Sequence, residues 1–452
     1  MNEKRETLKN IFMAGVNRAN PYKILKNNVN LKNSTLTIDT PKKQFNFDLS
    51  KYKKIFIIGA GKATATMAKA IEEIFKNKID KGFISVKYGH TENLNKIKII
   101  EAGHPVPDDN SFKAAKKILK IAEKSDEETL VITLISGGGS ALMTHPIKND
   151  MVEISLDDIQ NTTEKLLECG AIINEINCLR KHLSEIKGGK LASALFPATS
   201  INLILSDVVG DRLDTIASGP TSPDEKTFQG MKSIIKKYEI ENQLPKNVLK
   251  LLDLGLKNKI METPGKDNKI FKNTTNILIG TNYLSLLDSK KESEKNSFNT
   301  IILSSQIIGE AKEVAKVFAG IAKDVKKNNL LGDKPLCIIA GGETTVTLKG
   351  NGKGGRNQEI ALSFLSEIEK EPDAFEDIYF LSASTDGNDG PTDAAGAYAD
   401  LDLLHKSKTK KLDITEYLKN NDSYNFFDSI DGLLKTGPTN TNVCDIHIIL
   451  IK

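Results

Sequence analysis

Seven stretches of the chain repeat one arrangement: a short apolar run, then a turn of small and polar residues, then in most an apolar spacing of three and four. They span 53–75, 129–143, 200–221, 276–287, 299–322, 336–348 and 378–398. Continuous Ile/Val/Leu runs alternating with helical patterns predict parallel sheets covered on both faces. The polar turns then collect at the carboxyl ends of the strands, where such sheets bind ligands. Ahead of these, Leu8, Ile11, Phe12 and Val16 follow helical spacing and predict a docking helix that ends before Pro21. Between 241 and 273 the pattern lapses around Pro245 and "TPGKDNK", which reads as a linker. A chain of 452 residues exceeds one ordinary core. The expectation is an α/β protein of two lobes, 1–264 and 265–452, with the active site in the cleft between them.

Composition narrows the partners. A net charge of +4, spread without a basic block, argues against a nucleic-acid partner. No apolar run approaches the roughly 20 residues of a membrane span, so no membrane partner is expected. The first twenty residues are charged and lack the apolar core of a secretory signal. Cys169, Cys178, Cys337 and Cys444 form no CxxC pair, and Cys178 and Cys337 lie in apolar contexts, as in a reduced, cytoplasmic protein. Of 63 basic residues only Arg5, Arg18, Arg180, Arg212 and Arg356 are arginine. Where lysine is the default cation, arginine marks places that need a planar fork. The last three lie in glycine- or aspartate-rich stretches and are candidate ligand contacts.

The turns carry the candidate chemistry. "TLISGGGSALM" (133–143) places Gly137, Gly138, Gly139 and Ser140 after an apolar run, leaving backbone amides uncovered for an anion such as phosphate. It is not a serine-hydrolase elbow, because Leu142 replaces the last glycine of G-x-S-x-G. "IIGAGKATATMA" suggests a dinucleotide turn, but Thr64 holds the fingerprint's third position and the next strand ends on Lys87 rather than a carboxylate. A P-loop fails on Phe56 and Ala63. What remains there is Lys62 at a helix start, favourable for an anion. Asp207, Asp211, Asp214, Glu343, Asp386, Asp389 and Asp393 follow other strands, and carboxylates beside phosphate-binding turns suit Mg²⁺. The DGNDG run lacks the glutamate that closes an EF-hand loop. "KGNGKGGRNQEIALSFL" (349–365) reads as a flexible cationic loop that brings Arg356 to a helix start, suited to charge on a transferring phosphoryl group.

Taken in order, "GAGKATATMA", "AGHPVPDDNS", "LISGGGSALM", "INCLRKHLSEIKGGKLA", "LSDVVGDRLDTIASGPTSPD", "GGETTVTLKGNGKGGRNQEIAL", "STDGNDGPTDAAGA" and "TGPTNTNV" resemble the class II glycerate kinases of the MOFRL type. The resemblance runs through nearly the whole chain, more loosely over 225–335. It implies a Rossmann-like N-terminal lobe, a smaller C-terminal α/β lobe, and ATP-dependent phosphorylation of D-glycerate at its 2-hydroxyl with Mg²⁺ or another divalent cation. It implies Lys62 and Arg356 as catalytic residues. With them the expected site comprises Asp207, Glu343 and Asp386 for the metal or the hydroxyl proton. Gly137, Gly138, Gly139, Ser140, Gly341, Gly342, Glu343, Asp386 and Asn388 are expected toward the nucleotide, and Ser136, Arg180 and His182 toward the substrate. Arg180 and His182 stand equally well as internal struts. Alanine at Lys62 or Arg356 is expected to remove most of kcat and leave thermal stability nearly intact. An NADP-dependent hydroxypyruvate reductase and a non-catalytic nucleotide sensor are the competing readings, and a homodimer is left open.

Overall fold

The computed structural model describes residues 3–452, which form two compact units. One unit comprises Pro21–Ser206 and Asp211–Ile279; the other comprises 280–452 together with residues up to Asn20 and the short stretch Asp207–Gly210. Against the expected division at 264/265, three segments group otherwise: 265–279 with the first unit, and the residues up to Asn20 and Asp207–Gly210 with the second. Residues 265–279 stay with the first unit because Asn273 Nδ2 and Asn276 Nδ2 donate to the carbonyls of Pro197 and Thr221, at 2.7 and 3.0 Å. The predicted N-terminal helix forms over Glu3–Arg18, but it belongs to the second unit. There Leu8, Ile11, Phe12 and Val16 enter the main core, and buried Arg5 forms a two-pronged pair with Asp400 at 2.7 Å.

The first unit opens with an antiparallel sheet that apolar periodicity did not announce: β1 (Val29–Lys32), β2 (Thr35–Asp39) and β3 (Gln44–Asp48). Its main sheet contains β4 (Lys54–Ala60), β5 (Lys81–Lys87), β6 (Ile97–Ala102), β7 (Thr129–Ile135), β8 (Thr199–Leu205) and β9 (Thr274–Gly280), in the order β6-β5-β4-β7-β8-β9. β4 pairs in parallel with β5 and β7, as do β5 with β6 and β7 with β8. Every residue of β7 is buried, as expected of a strand covered on both faces. The expected linker over 241–273 holds the helix Lys246–Leu256. Its Val248, Leu251 and Leu252 pack with Phe228, Met231 and Leu179 in a second apolar cluster, so Pro245 starts a helix rather than a connection.

The second unit departs from the all-parallel expectation. It contains β10 (Asn299–Ile307), β11 (Leu336–Gly342), β12 (Ile378–Ser384), β13 (Gly396–Ala399), β14 (Leu433–Leu434) and β15 (Asp445–Ile451), in the order β10-β11-β15-β12-β13-β14. β10 and β11 are parallel, but the last strand, β15, runs antiparallel between β11 and β12. Asp445 at the start of β15 is therefore level with Gly342 and Ser384, the last residues of β11 and β12. One antiparallel strand thereby delivers a carboxylate to the edge where its two neighbours deliver their turns.

Within this core His447 is fully buried, its Nδ1 2.9 Å from Ser382 Oγ, and burial pushes its pKa down to about 4. A histidine depressed in the folded state stabilises above its unfolded value near 6.5, and that contribution is lost as pH falls toward 4. The urea midpoint of the protein is expected to drop between pH 6.5 and 4, and the His447→Gln variant to show a shallower drop. Equal slopes for both would show that this histidine takes up its proton alike in the folded and unfolded states, against a depressed folded value.

Candidate active site

In the first unit the turns after β4 and β7 are laced together. The amide of Lys62 donates to the carbonyl of Gly137 (2.8 Å), the amide of Ser136 to that of Ala60 (3.3 Å), and the amide of Ala63 to Ser136 Oγ (3.1 Å). Thr64 Oγ1 lies 3.1 Å from the same Ser136 hydroxyl. Ser136 is therefore a buried strut that caps the helix Thr64–Phe75. The amides of residues 62 and 63 are satisfied in this way, and among the described residues the Lys62 ammonium forms no ion pair. The triple glycine is explained in part by close packing. Gly138 has φ of +82°, and a Cβ there would lie 2.8 Å from the His104 ring and 3.4 Å from Lys62 Cγ. On Gly139 a Cβ would press against the Ala60 carbonyl. Burial, with Lys62 and Lys87 nearby, lowers His104 to about 4, so it faces Lys62 as a neutral ring.

The helix Ile173–His182 resolves the alternatives for two residues of "LRKHLS". His182 is a strut, with Nδ1 2.7 Å from the Cys178 carbonyl and Nε2 3.0 Å from Glu262. Arg180 instead donates through Nη2 to Ser140 Oγ at 2.9 Å, and Ser140 Oγ is 2.9 Å from Ser218 Oγ. Arg212, the third candidate arginine, pairs with its neighbour Asp214 on the surface.

In the second unit Arg356 is the first residue of the helix Arg356–Lys370. Its Nε and Nη2 donate to the two oxygens of fully buried Asp445 at 2.5 and 2.9 Å, and its Nη1 lies 2.9 Å from Glu343 Oε1. Burial opposes the guanidinium charge, but Asp445, Glu343 and Asp389 outweigh it and raise its pKa. Asp389 caps the same helix: Oδ1 accepts from the Asn357 amide and Oδ2 from the Gln358 amide. Burial and the neighbouring Asp445 push Asp389 up to about 6.

Cys444, a buried non-glycine residue at φ +67°, joins the remaining acids. Its Sγ lies 3.2 Å from the Asp207 carbonyl and 3.9 Å from Glu343 Oε2, and its own carbonyl accepts from the Thr385 amide beside Asp386. Burial, then Glu343, Asp445 and Asp207, raise the thiol's pKa. Asp386 is folded into its own turn, Oδ1 accepting from Ser384 Oγ and the Asn388 amide, while Asn388 Nδ2 donates to Thr392 O. Among the described residues no three His, Cys, Asp or Glu side chains are grouped to hold a metal by themselves. A cation that takes one or two carboxylates and completes its shell from phosphate and water needs no such group, and half-exposed Glu343 has the chemistry for that role.

Two expectations for this unit change. Gly341 and Gly342 lie inside β11, where added Cβ atoms would strike Asn282 and the Ile307 backbone, so they serve packing. The loop 349–355 is not free to flap. The amides of Lys349 and Gly350 donate to Asn421 Oδ1, that of Lys353 to Asp422 Oδ1, and that of Gly352 to the Asn420 carbonyl. Its glycines admit this strap, since a Cβ on Gly350 or Gly354 would clash with Asn420 or Ser423. Beside Arg356 a cavity of about 340 Å³ is lined by Val346, Leu348, Gly354, Gly355 and Pro391. Sequence reasoning missed Asp445, whose only signal was an acid placed directly before a mostly apolar strand; it named Asp389 as a candidate carboxylate, which the structure places as a helix cap.

The geometry separates two partners of Arg356. Asp445→Asn is expected to cost about 3 kcal/mol in urea unfolding, because it strands a part-buried guanidinium. Glu343→Gln, on the exposed side, is expected to cost less than about 1 kcal/mol. Comparable costs would contradict the asymmetry. Arg356→Ala likewise leaves Asp445 buried without its partner, so the expectation of intact thermal stability does not hold for that variant.

Comparison with known proteins gives two family matches: "Domain of unknown function (DUF4147)" over residues 7–253 and "MOFRL family" over 336–445. A glycerate 2-kinase of Pyrococcus horikoshii is 40% identical, covering 96% of this chain and 94% of its own. A D-glycerate 2-kinase of Thermotoga maritima is 42% identical over 88% of this chain and 91% of its own. A crystal structure titled as glycerate kinase, from Thermotoga maritima, superposes with a TM-score of 0.86 at 38% identity, covering 100% of both chains. A protein of Agrobacterium vitis named putative hydroxypyruvate reductase is 38% identical over 87% of this chain and 98% of its own.

Proposed function

The chain belongs to the glycerate kinases that join a DUF4147 region to a MOFRL domain, and we propose from that membership that it transfers the γ-phosphoryl group of ATP to the 2-hydroxyl of D-glycerate. The observation that carries the reading is Arg356: a guanidinium locked on a buried carboxylate, with one nitrogen on a half-exposed glutamate, beside an apolar cavity. Phosphoryl transfer asks the protein chiefly for positioning and for fixed positive charge around the transferring group. A guanidinium that cannot swing away meets that demand without reorganisation.

The roles follow from what each group has left to offer. The glycerate 2-oxygen attacks the γ-phosphorus, the bond from phosphorus to the ADP oxygen breaks, and the hydroxyl proton passes to a carboxylate. Arg356 offsets charge on the equatorial oxygens, and Lys62 holds a phosphate through its unpaired ammonium. Asp207 and Glu343 supply the carboxylates, one for the proton and one for a divalent cation. Such a cation, when bound, neutralises charge on the phosphate oxygens. The cavity beside Arg356 suits an adenine ring. Asp386 and Asn388, each engaged in its own turn, shape this surface rather than grip a ligand. The reductase reading gains nothing from the turn after β4, whose amides are engaged within the protein: Gly61 with the Ser85 carbonyl, Lys62 with that of Gly137 and Ala63 with Ser136 Oγ.

Lys62→Ala is expected to lower kcat for glycerate-dependent ADP release by about a hundredfold, with little change in melting temperature because Lys62 forms no ion pair among the described residues. Arg356→Lys, which retains a charge for Asp445, is expected to fold and to lose kcat by at least tenfold, since one ammonium cannot reproduce the fork. Near-normal turnover in either variant would remove that residue from the mechanism. Oxidation of NADPH by hydroxypyruvate without ADP formation from glycerate would replace the kinase reading altogether.

A further inference from the structure

The helix Ile173–His182 ends on three consecutive basic residues, and only two of them are answered locally. Lys181 Nζ pairs with buried Asp224 at 2.9 Å, and His182 is held between Cys178 and Glu262. Among the described residues Arg180 has no carboxylate within ion-pair distance, and its Nε is buried without a hydrogen-bond partner. Seven residues on, Lys187 is 1% exposed, and among the described residues its ammonium has neither an ion-pair nor a hydrogen-bond partner. Lys190, by contrast, spends its ammonium on the carbonyls of Lys181 and Ser184.

The two unanswered cations share one neighbourhood. Arg180 reaches Ser140 Oγ, Ser140 Oγ meets Ser218 Oγ at 2.9 Å, and the amide next to Lys187, that of Gly188, donates to the Ser218 carbonyl at 2.9 Å. Burial and the positive charge of Arg180 together drive the Lys187 pKa well below its ordinary value. Burying a cation without a counter-charge is costly. Fold stability alone gives no reason to gather two of them around a pair of hydroxyls. A bound oxyanion does.

We propose that Arg180 and Lys187, with the hydroxyls of Ser140 and Ser218, bind the carboxylate of the acceptor acid. The inference rests on the kinase reading for the identity of that acid. A carboxylate fits better than a polyphosphate chain, because the donors are few, close together and deep, and because a guanidinium fork matches two carboxylate oxygens. It also accounts for the position of attack: in glycerate the 2-hydroxyl is on the carbon bonded to the carboxylate. Fixing that group fixes this hydroxyl, and leaves the 3-hydroxyl on the freely rotating end. Ser140 borders the Gly138 turn that carries Lys62 against it, so the acid would lie next to the phosphate-facing lysine.

The test is Lys187→Met, which keeps the apolar stem and removes the charge. The expected result is a KM for D-glycerate raised at least tenfold, a KM for ATP within twofold of wild type, and a melting temperature equal to or above wild type. A glycerate KM within twofold, or a rise confined to ATP, overturns the proposal while leaving the kinase reading intact. Should Lys187→Met fail to fold, Ser218→Ala is read by the same split, with a glycerate KM raised at least threefold and an unchanged ATP KM expected. If the wild-type protein does not phosphorylate glycerate, the kinase reading falls and the pocket is judged by thermal shift. Stabilisation of wild type by D-glycerate but not by glycerol, lost in Lys187→Met, upholds the pocket. No difference between the two ligands, or between the two proteins, rejects it.

Discussion

The pair between Arg356 and Asp445 organises the second unit's chemistry. Asp445 has no exposure to solvent, and two guanidinium nitrogens reach its two oxygens in the fork geometry that suits a carboxylate. In return it fixes Arg356 in one orientation and leaves Nη1 toward Glu343. The arrangement requires a strand that runs against its neighbours. Only because β15 is antiparallel does its first residue reach the edge where β11 and β12 end. Helix capping by Asp389, the strapped glycine loop and the Cys444 junction all surround this pair and keep it from relaxing.

The first unit solves a different problem with a different device. Its sheet is built from parallel pairings, and the turns after β4 and β7 hydrogen-bond to each other. That lacing satisfies the amides of Lys62, Ala63 and Ser136. Among the described residues three cations of this unit, Lys62, Arg180 and Lys187, have no carboxylate within ion-pair distance. Positive charge left uncompensated in one unit, and positive charge held by acids in the other, are complementary ways of preparing for an anionic substrate and an anionic transition state.

Much of this was legible in the chain, and what was not has a physical reason. The seven apolar runs announced seven strands because a doubly covered strand must be apolar on both faces. The N-terminal helix was legible from Leu8, Ile11, Phe12 and Val16, but not its attachment to the second unit, since periodicity reports a buried face and not what buries it. The all-parallel expectation failed at β15 because strand order and direction are tertiary properties. Glycines misled more than once. A backbone that must admit a phosphate and a backbone that must admit another backbone leave the same residue behind, as Gly341, Gly342 and Gly350 illustrate. Lys187 was invisible in a lysine-rich chain, because its significance lies in the absence of a partner.

The central claim is that this chain phosphorylates D-glycerate on the carbon next to the carboxylate. The most direct measurement is the proton-coupled ³¹P spectrum of the product formed from ATP, D-glycerate and a magnesium salt. The account predicts a phosphomonoester doublet, phosphorus coupled to the single proton on C2. A triplet, from the two protons on C3, or an unchanged ATP spectrum, would contradict it.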